Sequence, residues 1–256
     1  MRQQRIMVGF IPLDAVGPPG ERWAWGLLSA EERIRAERRV RASSRLEFTV
    51  AHALKRLMLA EATGADPMTL RFAPRDEHGK PALTGGEEGF DFNLSHTAGA
   101  VACAVVSGGG AENGIGIDLE AADRRITLEL ADRFFAADET GWIRAQPQPD
   151  QAFLAVWTLK EAFVKAAGRG LALGLTAFSV RPPPDQGPDP QPARLLRQEG
   201  EACLPQPVRL WQWLTPSGHR VGLGLTGPEV EQATVTVRTG WPGLTRTGSG
   251  HESGIG

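Results

Sequence analysis

The chain has 256 residues, of which 41% are hydrophobic and 23% charged, and its formal net charge is −2. This is the composition of an ordinary globular protein with length enough for one large domain or two small ones, and so small a charge offers no general field for nucleic acid or an anionic membrane. The two cysteines, Cys103 in an apolar run and Cys203 far from it, exclude a disulfide framework, and with the histidines they lack the spacing of a zinc site.

Met1-Arg-Gln-Gln-Arg-Ile6 carries none of the long apolar stretch of a signal peptide, and no run is long enough to span a bilayer, so the cytoplasm is the expected compartment. In chain order, Ile6 to Leu13 reads as a strand ended by Val16-Gly-Pro-Pro-Gly20. Ser29-Ala-Glu-Glu32 has the form of a capping box opening a charged helix towards Arg41. Leu46, Val50, Ala53, Leu54 and Leu57 recur at helical spacing and Gly64 supplies a stop. Leu70-Arg-Phe predicts a short strand before the turn Asp76-Glu-His-Gly79, and Asp91–Ser95 with Val101–Val106 a strand pair.

Ser107-Gly-Gly-Gly110 is the best internal boundary, giving subdomains over 1–110 and 111–239 and a disordered tail over 240–256. From Gly114 the order strand, helix, helix, strand recurs, with helices over Thr127–Phe135 and Gln151–Ala167 and strands at Phe178–Val180, Leu210–Leu214 and Val221–Leu225. Pro182–Pro192 is too rich in proline and polar residues for regular structure and reads as a mobile surface loop.

Chemistry concentrates in a few segments. In Gly114-Ile-Gly-Ile-Asp-Leu-Glu120 the acids Asp118 and Glu120 lie two apart at the end of a buried strand and therefore share a face. Like charges so placed repel unless a cation sits between them, and a hard dication such as Mg²⁺ suits oxygen ligands. In Trp157-Thr-Leu-Lys-Glu161, positions 157, 161 and 165 share a helix face with Lys160 beside them; a solvated Glu161–Lys165 pair explains that segment equally well. Ser95, His96 and Thr97 follow an apolar strand, where they either satisfy loop carbonyls or donate to a phosphate. Lys80 and Pro81 follow a turn. Arg33, Arg35, Arg38, Arg39, Arg41 and Arg45 crowd one stretch, as a solvated face, a phosphate trap or a dock for an acidic protein. No Gly-x-Ser-x-Gly elbow, P-loop or dinucleotide fingerprint occurs.

Taken in order, Gly79-Lys-Pro, Phe92-Asn-Leu-Ser-His, Gly116-Ile-Asp-Leu-Glu, Arg133-Phe-Phe with Glu139, and Trp157-Thr-Leu-Lys-Glu-Ala-Phe-Val-Lys165 closely resemble the 4′-phosphopantetheinyl transferases, in their larger, surfactin-synthetase-activating class. The resemblance covers roughly Leu28 to Arg181. It implies an α/β (α+β) fold, a pseudo-twofold pair of similar subdomains, with coenzyme A in the cleft between them. It also implies a holo-acyl-carrier-protein-synthase type of activity, passing phosphopantetheine to a serine of an acyl, peptidyl or polyketide carrier and releasing adenosine 3′,5′-bisphosphate.

On this pattern Asp118, Glu120 and Glu161 would hold Mg²⁺, with Lys165, and Lys160 beside it, on the coenzyme's phosphates. Ser95 and His96 would lie near the 3′-phosphate, Lys80 and Pro81 in the adenine-side loop, and Arg45 would be a second cation for the 3′-phosphate. Glu161 is the candidate general base, with a water at the metal as the alternative. The pattern is broken at Glu32, where a phosphate-binding cation is expected, so that Arg33, Arg35 or Arg38 would substitute. The expected assembly is a monomer that binds coenzyme A and an apo carrier, with no nucleic acid and no membrane. A Mg²⁺-dependent hydrolase of the coenzyme A pyrophosphate is the competing enzyme, and a non-catalytic carrier-binding protein the competing non-enzyme.

Overall fold

The structure, a computed structural model, describes residues 4–75, 79–84, 89–108, 113–184 and 187–242. Strand β1 (Arg5–Pro12) leads into three helices, α1 (Pro18–Leu27), α2 (Ala30–Glu37) and α3 (Ala42–Thr63). A small antiparallel hairpin, β2 (Arg71–Pro74) and β3 (Pro81–Thr84), precedes β4 (Phe90–Thr97), β5 (Ala100–Ser107) and β6 (Gly114–Ala121). Then come α4 (Glu129–Phe134), α5 (Ala137–Arg144), the long α6 (Pro149–Ala167), and β7 (Phe178–Arg181) to β11 (Thr234–Thr239), with β8 at Gln191–Gln198, β9 at Val208–Leu214 and β10 at His219–Thr226.

Two main sheets result, in the orders β11-β1-β5-β4 and β6-β10-β9-β8-β7. Strand alternation sorts their side chains. Ile6, Val8, Phe10, Ala102 and Ala104 on one sheet and Ile115, Ile117, Leu119, Trp213 and Leu223 on the other form a core between the sheets. The opposite face of the first sheet, with Ile11, Val101, Cys103 and Val105, packs on Val50, Leu54 and Met58 of α3. Leu154, Leu159 and Phe163 of α6 cover the outer side of the second. Each half is thus a sheet with one long helix outside it.

The long helices carry their own end signals. The chain leaves α3 through Gly64 and α6 through Gly168, at φ +77° and +68°, where glycine alone is unstrained. The capping box of α2 is complete, since Glu32 N–H donates to Ser29 Oγ (3.2 Å) and Ser29 N–H to a Glu32 carboxylate oxygen (3.0 Å). Yet α2 ends at Glu37, short of the expected Arg41, before the exposed Arg38–Arg41 corner.

Other expectations are amended. Thr234–Thr239, assigned by sequence to the second subdomain, runs parallel to β1 and completes the first sheet, because Val235 and Val237 pack on the inter-sheet core. The loop expected to run to Pro192 gives way at Gln191 to β8, which pairs with β7 and β9. The boundary near Gly110 lies among undescribed positions, as does the tail beyond 242. Among the described residues no helix is long and apolar enough to cross a membrane.

Candidate active site

Strand β6 supplies the centre of the site. Its odd positions fill the inter-sheet core, so Gly114, Gly116, Asp118 and Glu120 face outward under α6. A Cβ on Gly116 would collide with the Ala162 carbonyl, and one on Gly222 of β10 with the Thr158 carbonyl. These bare positions let α6 lie directly on the strands, and that close approach delivers Glu161 and Lys165 to the acids at the strand's end.

Lys165 Nζ lies 2.6 Å from Asp118 Oδ1 and also donates to the Ile117 carbonyl at 3.1 Å. Ser95 Oγ donates to the same Oδ1 at 3.2 Å. Asp118 Oδ2 is buried with no hydrogen-bond partner among the described residues. Glu120 is paired with Arg124 and accepts from Thr97 Oγ1 at 3.3 Å. Burial, then the negative charge of Asp118, raises the pKa of Glu161, with Lys165 opposing. Burial also raises that of Glu120, opposed first by Arg124 and reinforced by Asp118. The acids therefore feel one another, and their charge is incompletely neutralised by protein cations.

That condition fits a hard dication, since a buried carboxylate oxygen stands idle among oxygen donors. The side chains are not closed into a ligand set: among the described residues no group of three His, Cys, Asp or Glu is arranged to hold a metal ion. Glu120 is drawn aside by Arg124, and Asp118 Oδ1 is taken by Lys165.

Other expected site residues scatter. Lys160 does not reach the cleft. It is fully buried, 2.8 Å from Glu139 and donating to the carbonyls of Leu175 (2.6 Å) and Phe178 (2.5 Å), so it ties α5 and the approach to β7 beneath α6. Position 160 points inward because it lies one residue off the 157–161–165 stripe. Lys80 turns to Asp91 (2.6 Å) and the Ile115 carbonyl (3.0 Å). Ser95 is turned to Asp118 and buried. Pro81 is exposed on a cleft of about 800 Å³ between α2, α3 and the hairpin, walled by Arg33, Arg35, Phe72 and Leu94. His96 and Arg45 are exposed, His96 Nδ1 standing 3.6 Å from Glu47 of α3.

Glu32, the break in the sequence pattern, has a different occupation. Its carboxylate lies 2.7 Å from both Lys55 and Arg56 and 3.0 Å from His52 Nδ1. Although burial opposes ionisation, the His52 hydrogen bond, the charge and hydrogen bond of Lys55 and the Ser29 N–H hold its pKa far below the usual carboxylate range. It is a structural anion at the floor of the cleft.

Sequence reasoning missed one set of functional contacts. Strands β4 and β6 are edge strands of different sheets, yet Ile115, Ile117 and Leu119 N–H donate to Asp91 (2.8 Å), Asn93 (2.9 Å) and Ser95 (3.1 Å) side chains. Polar side chains stand in for a backbone ladder and bring the halves together beside the acids. The signal was present, as Asp91, Asn93, Ser95 and Thr97 alternate with apolar Phe92 and Leu94.

Residues 114–209, which hold every reactive group of this outer face, match the family model of the 4′-phosphopantetheinyl transferase superfamily. The chain is similar to a 4′-phosphopantetheinyl transferase of Bacillus subtilis, 36% identical over 157 residues, or 60% of this chain and 66% of the relative. It is similar also to the transferase Sfp of Bacillus subtilis strain 168, 33% identical over 60% of this chain and 66% of that protein. The third is HetI of a Nostoc species, 37% identical over 57% and 61%. The chain thus spans 66%, a little under two thirds, of the length of the first two. The holo-[acyl-carrier-protein] synthase of Thermotoga maritima is a fainter likeness, 21% identical over 44% of this chain and 62% of its own, at a TM-score of 0.34.

Proposed function

We propose that this protein moves the 4′-phosphopantetheine arm of coenzyme A to a serine of an apo carrier protein, releasing adenosine 3′,5′-bisphosphate. The observation that carries the reading is Asp118, buried with one idle oxygen beside Glu161 and Lys165 on an outward strand face. Asp118 through Oδ2, with Glu161 and Glu120, would hold Mg²⁺, which supplies positive charge against the pyrophosphate when bound.

The carrier serine attacks the phosphorus that bears the pantetheine arm. The bond from that phosphorus to the bridging oxygen breaks, and the electrons leave on the 5′-phosphate of adenosine 3′,5′-bisphosphate. Glu161 takes the serine proton; its raised pKa brings it nearer the range in which a base is effective. Lys165, which donates to Asp118 and the Ile117 carbonyl, turns its remaining N–H to the phosphates. The cleft walled by Arg33, Arg35, Phe72 and Pro81 suits the adenosine end, giving a base an apolar wall and the 3′-phosphate cations. The exposed arginines from Arg35 to Arg45 suit an acidic carrier.

Mass spectrometry of apo acyl, peptidyl and polyketide carriers incubated with the protein, coenzyme A and Mg²⁺ tests the reading. The expected result is gain of one phosphopantetheine on one serine, lost on chelation. Cleavage of coenzyme A at the same rate without carrier would replace transfer by hydrolysis.

A further inference from the structure

We propose that Ser95 and Thr97 are positioning residues through which the first sheet orients the reactive acids carried by the second, a proposal that rests on the transferase reading of those acids. The hydroxyls lie two apart on β4, as the carboxylates do on β6, and they meet in order: Ser95 Oγ at 3.2 Å from Asp118 Oδ1, Thr97 Oγ1 at 3.3 Å from Glu120 Oε2. The seam below holds this register. Asp91, Asn93 and Ser95 accept from Ile115, Ile117 and Leu119 N–H, a constant offset that only strands running the same way can keep.

The donor direction follows from the inventory of a hydroxyl. Ser95 Oγ accepts the Leu119 N–H at 3.1 Å, leaving its single hydrogen to point at Asp118. With Lys165 on the same oxygen at 2.6 Å, the carboxylate's rotation is fixed and Oδ2 is the atom left over. Thr97 acts likewise on Oε2 of Glu120, while Arg124 takes Oε1. Both hydroxyl contacts are long for an O–H···O bond, so they set direction more than they add binding energy.

A purely structural seam predicts something different, and Asn93 separates the two. It holds Ile117 N–H at 2.9 Å and, among the described residues, bonds to no acid, so Asn93→Val weakens the seam without releasing a carboxylate. Mn²⁺ affinity of the full chain, read by calorimetry with coenzyme A present and no carrier, is the measurement, with the thermal midpoint alongside. Ser95→Ala and Thr97→Val should each weaken Mn²⁺ binding about tenfold, the usual scale for partners that orient metal-ligating groups. Thr97→Ser should restore it, and Asn93→Val should lower the midpoint with Mn²⁺ affinity unchanged. Unchanged affinity in Ser95→Ala and Thr97→Val, an equal loss in Asn93→Val, or a wild-type chain that binds no Mn²⁺ would overturn the proposal. A wild-type chain that binds Mn²⁺ but modifies no carrier would instead sink the transferase reading and leave the positioning roles standing.

Discussion

Two of the buried acid clusters among the described residues, around Glu32 in one half and Asp118 in the other, differ in whether the protein finishes them. Around Glu32, Lys55, Arg56, His52 and the Ser29 N–H take up both carboxylate oxygens, and the anion is stabilised far below its usual pKa. Around Asp118, one oxygen has no partner among the described residues, and two neighbouring glutamates are pushed up in pKa. A closed cluster is a fastening. An open one is strained until something from outside supplies positive charge. The difference separates structure from function where the residue types alone do not.

The largest effect should come from opening the closed cluster. Glu32→Ala strands the buried Lys55 and Arg56 cations and removes the reciprocal half of the α2 capping box, and should cost about 3–5 kcal/mol in denaturant unfolding. A loss under about 1 kcal/mol would mean that these cations find water instead. Asp118→Asn should do the reverse. It lowers carrier modification by roughly 10²–10³-fold, the scale of removing a preorganised charge from a transition state. Because it relieves repulsion on Glu120 and Glu161 while giving up the partly exposed Lys165 pair, unfolding should change by no more than about 1 kcal/mol. Parallel loss of stability and activity would erase the distinction between the clusters.

Much of this contrast was legible in the sequence. The pairing of Asp118 with Glu120 follows from strand alternation, and the arrival of Glu161 and Lys165 from helical spacing. The capping box at Ser29 was legible too, but not that Glu32 also anchors Lys55 and Arg56, since those contacts span more than twenty residues. Lys160 misled for a related reason: a lysine beside reactive residues reads as exposed, and only the position of Glu139 shows that burial is compensated. Strand β11 was missed because its place depends on pairing with β1 at the other end of the chain. Strand β8 was obscured by Pro192 and by its exposed side chains, Leu196 among them. Long-range pairing has no local signature, whereas periodicity does.

Acid should sharpen the comparison through His52. Burial lowers its pKa to about 4 from 6.5, with the Glu32 hydrogen bond opposing. The unfolded chain therefore binds a proton that the folded chain refuses between those values, so the contribution of His52 is whole above pH 6.5 and is lost as pH falls to about 4. Glu32, depressed in the folded state, adds a further loss as pH falls below its unfolded value of 4.5. A fall of about 3 kcal/mol assignable to His52 is expected across its window, and His52→Gln should flatten that part of the stability profile. An unaltered profile in His52→Gln would show that the closed cluster tolerates the extra proton.

The smallest effect belongs to the surface above the closed cluster. Arg38 and Arg39 stand exposed where α2 gives way to α3, with Arg39 also lying 5.0 Å over the ring of Phe48. Neither lines the cleft walled by Arg33 and Arg35, so reversing them should leave the chemistry and coenzyme affinity alone. If an acidic carrier approaches over this corner, Arg38→Glu with Arg39→Glu should lower its association rate by about tenfold at low salt. The deficit should shrink as salt screens the pair, because exposed charges act over only about 10 Å at 0.1 M ionic strength. Stopped-flow association at several salt concentrations reads this directly. A rate that does not move at low salt would leave the arginines as a solvated helix face, and carrier approach would then be governed from the open cluster's side of the molecule.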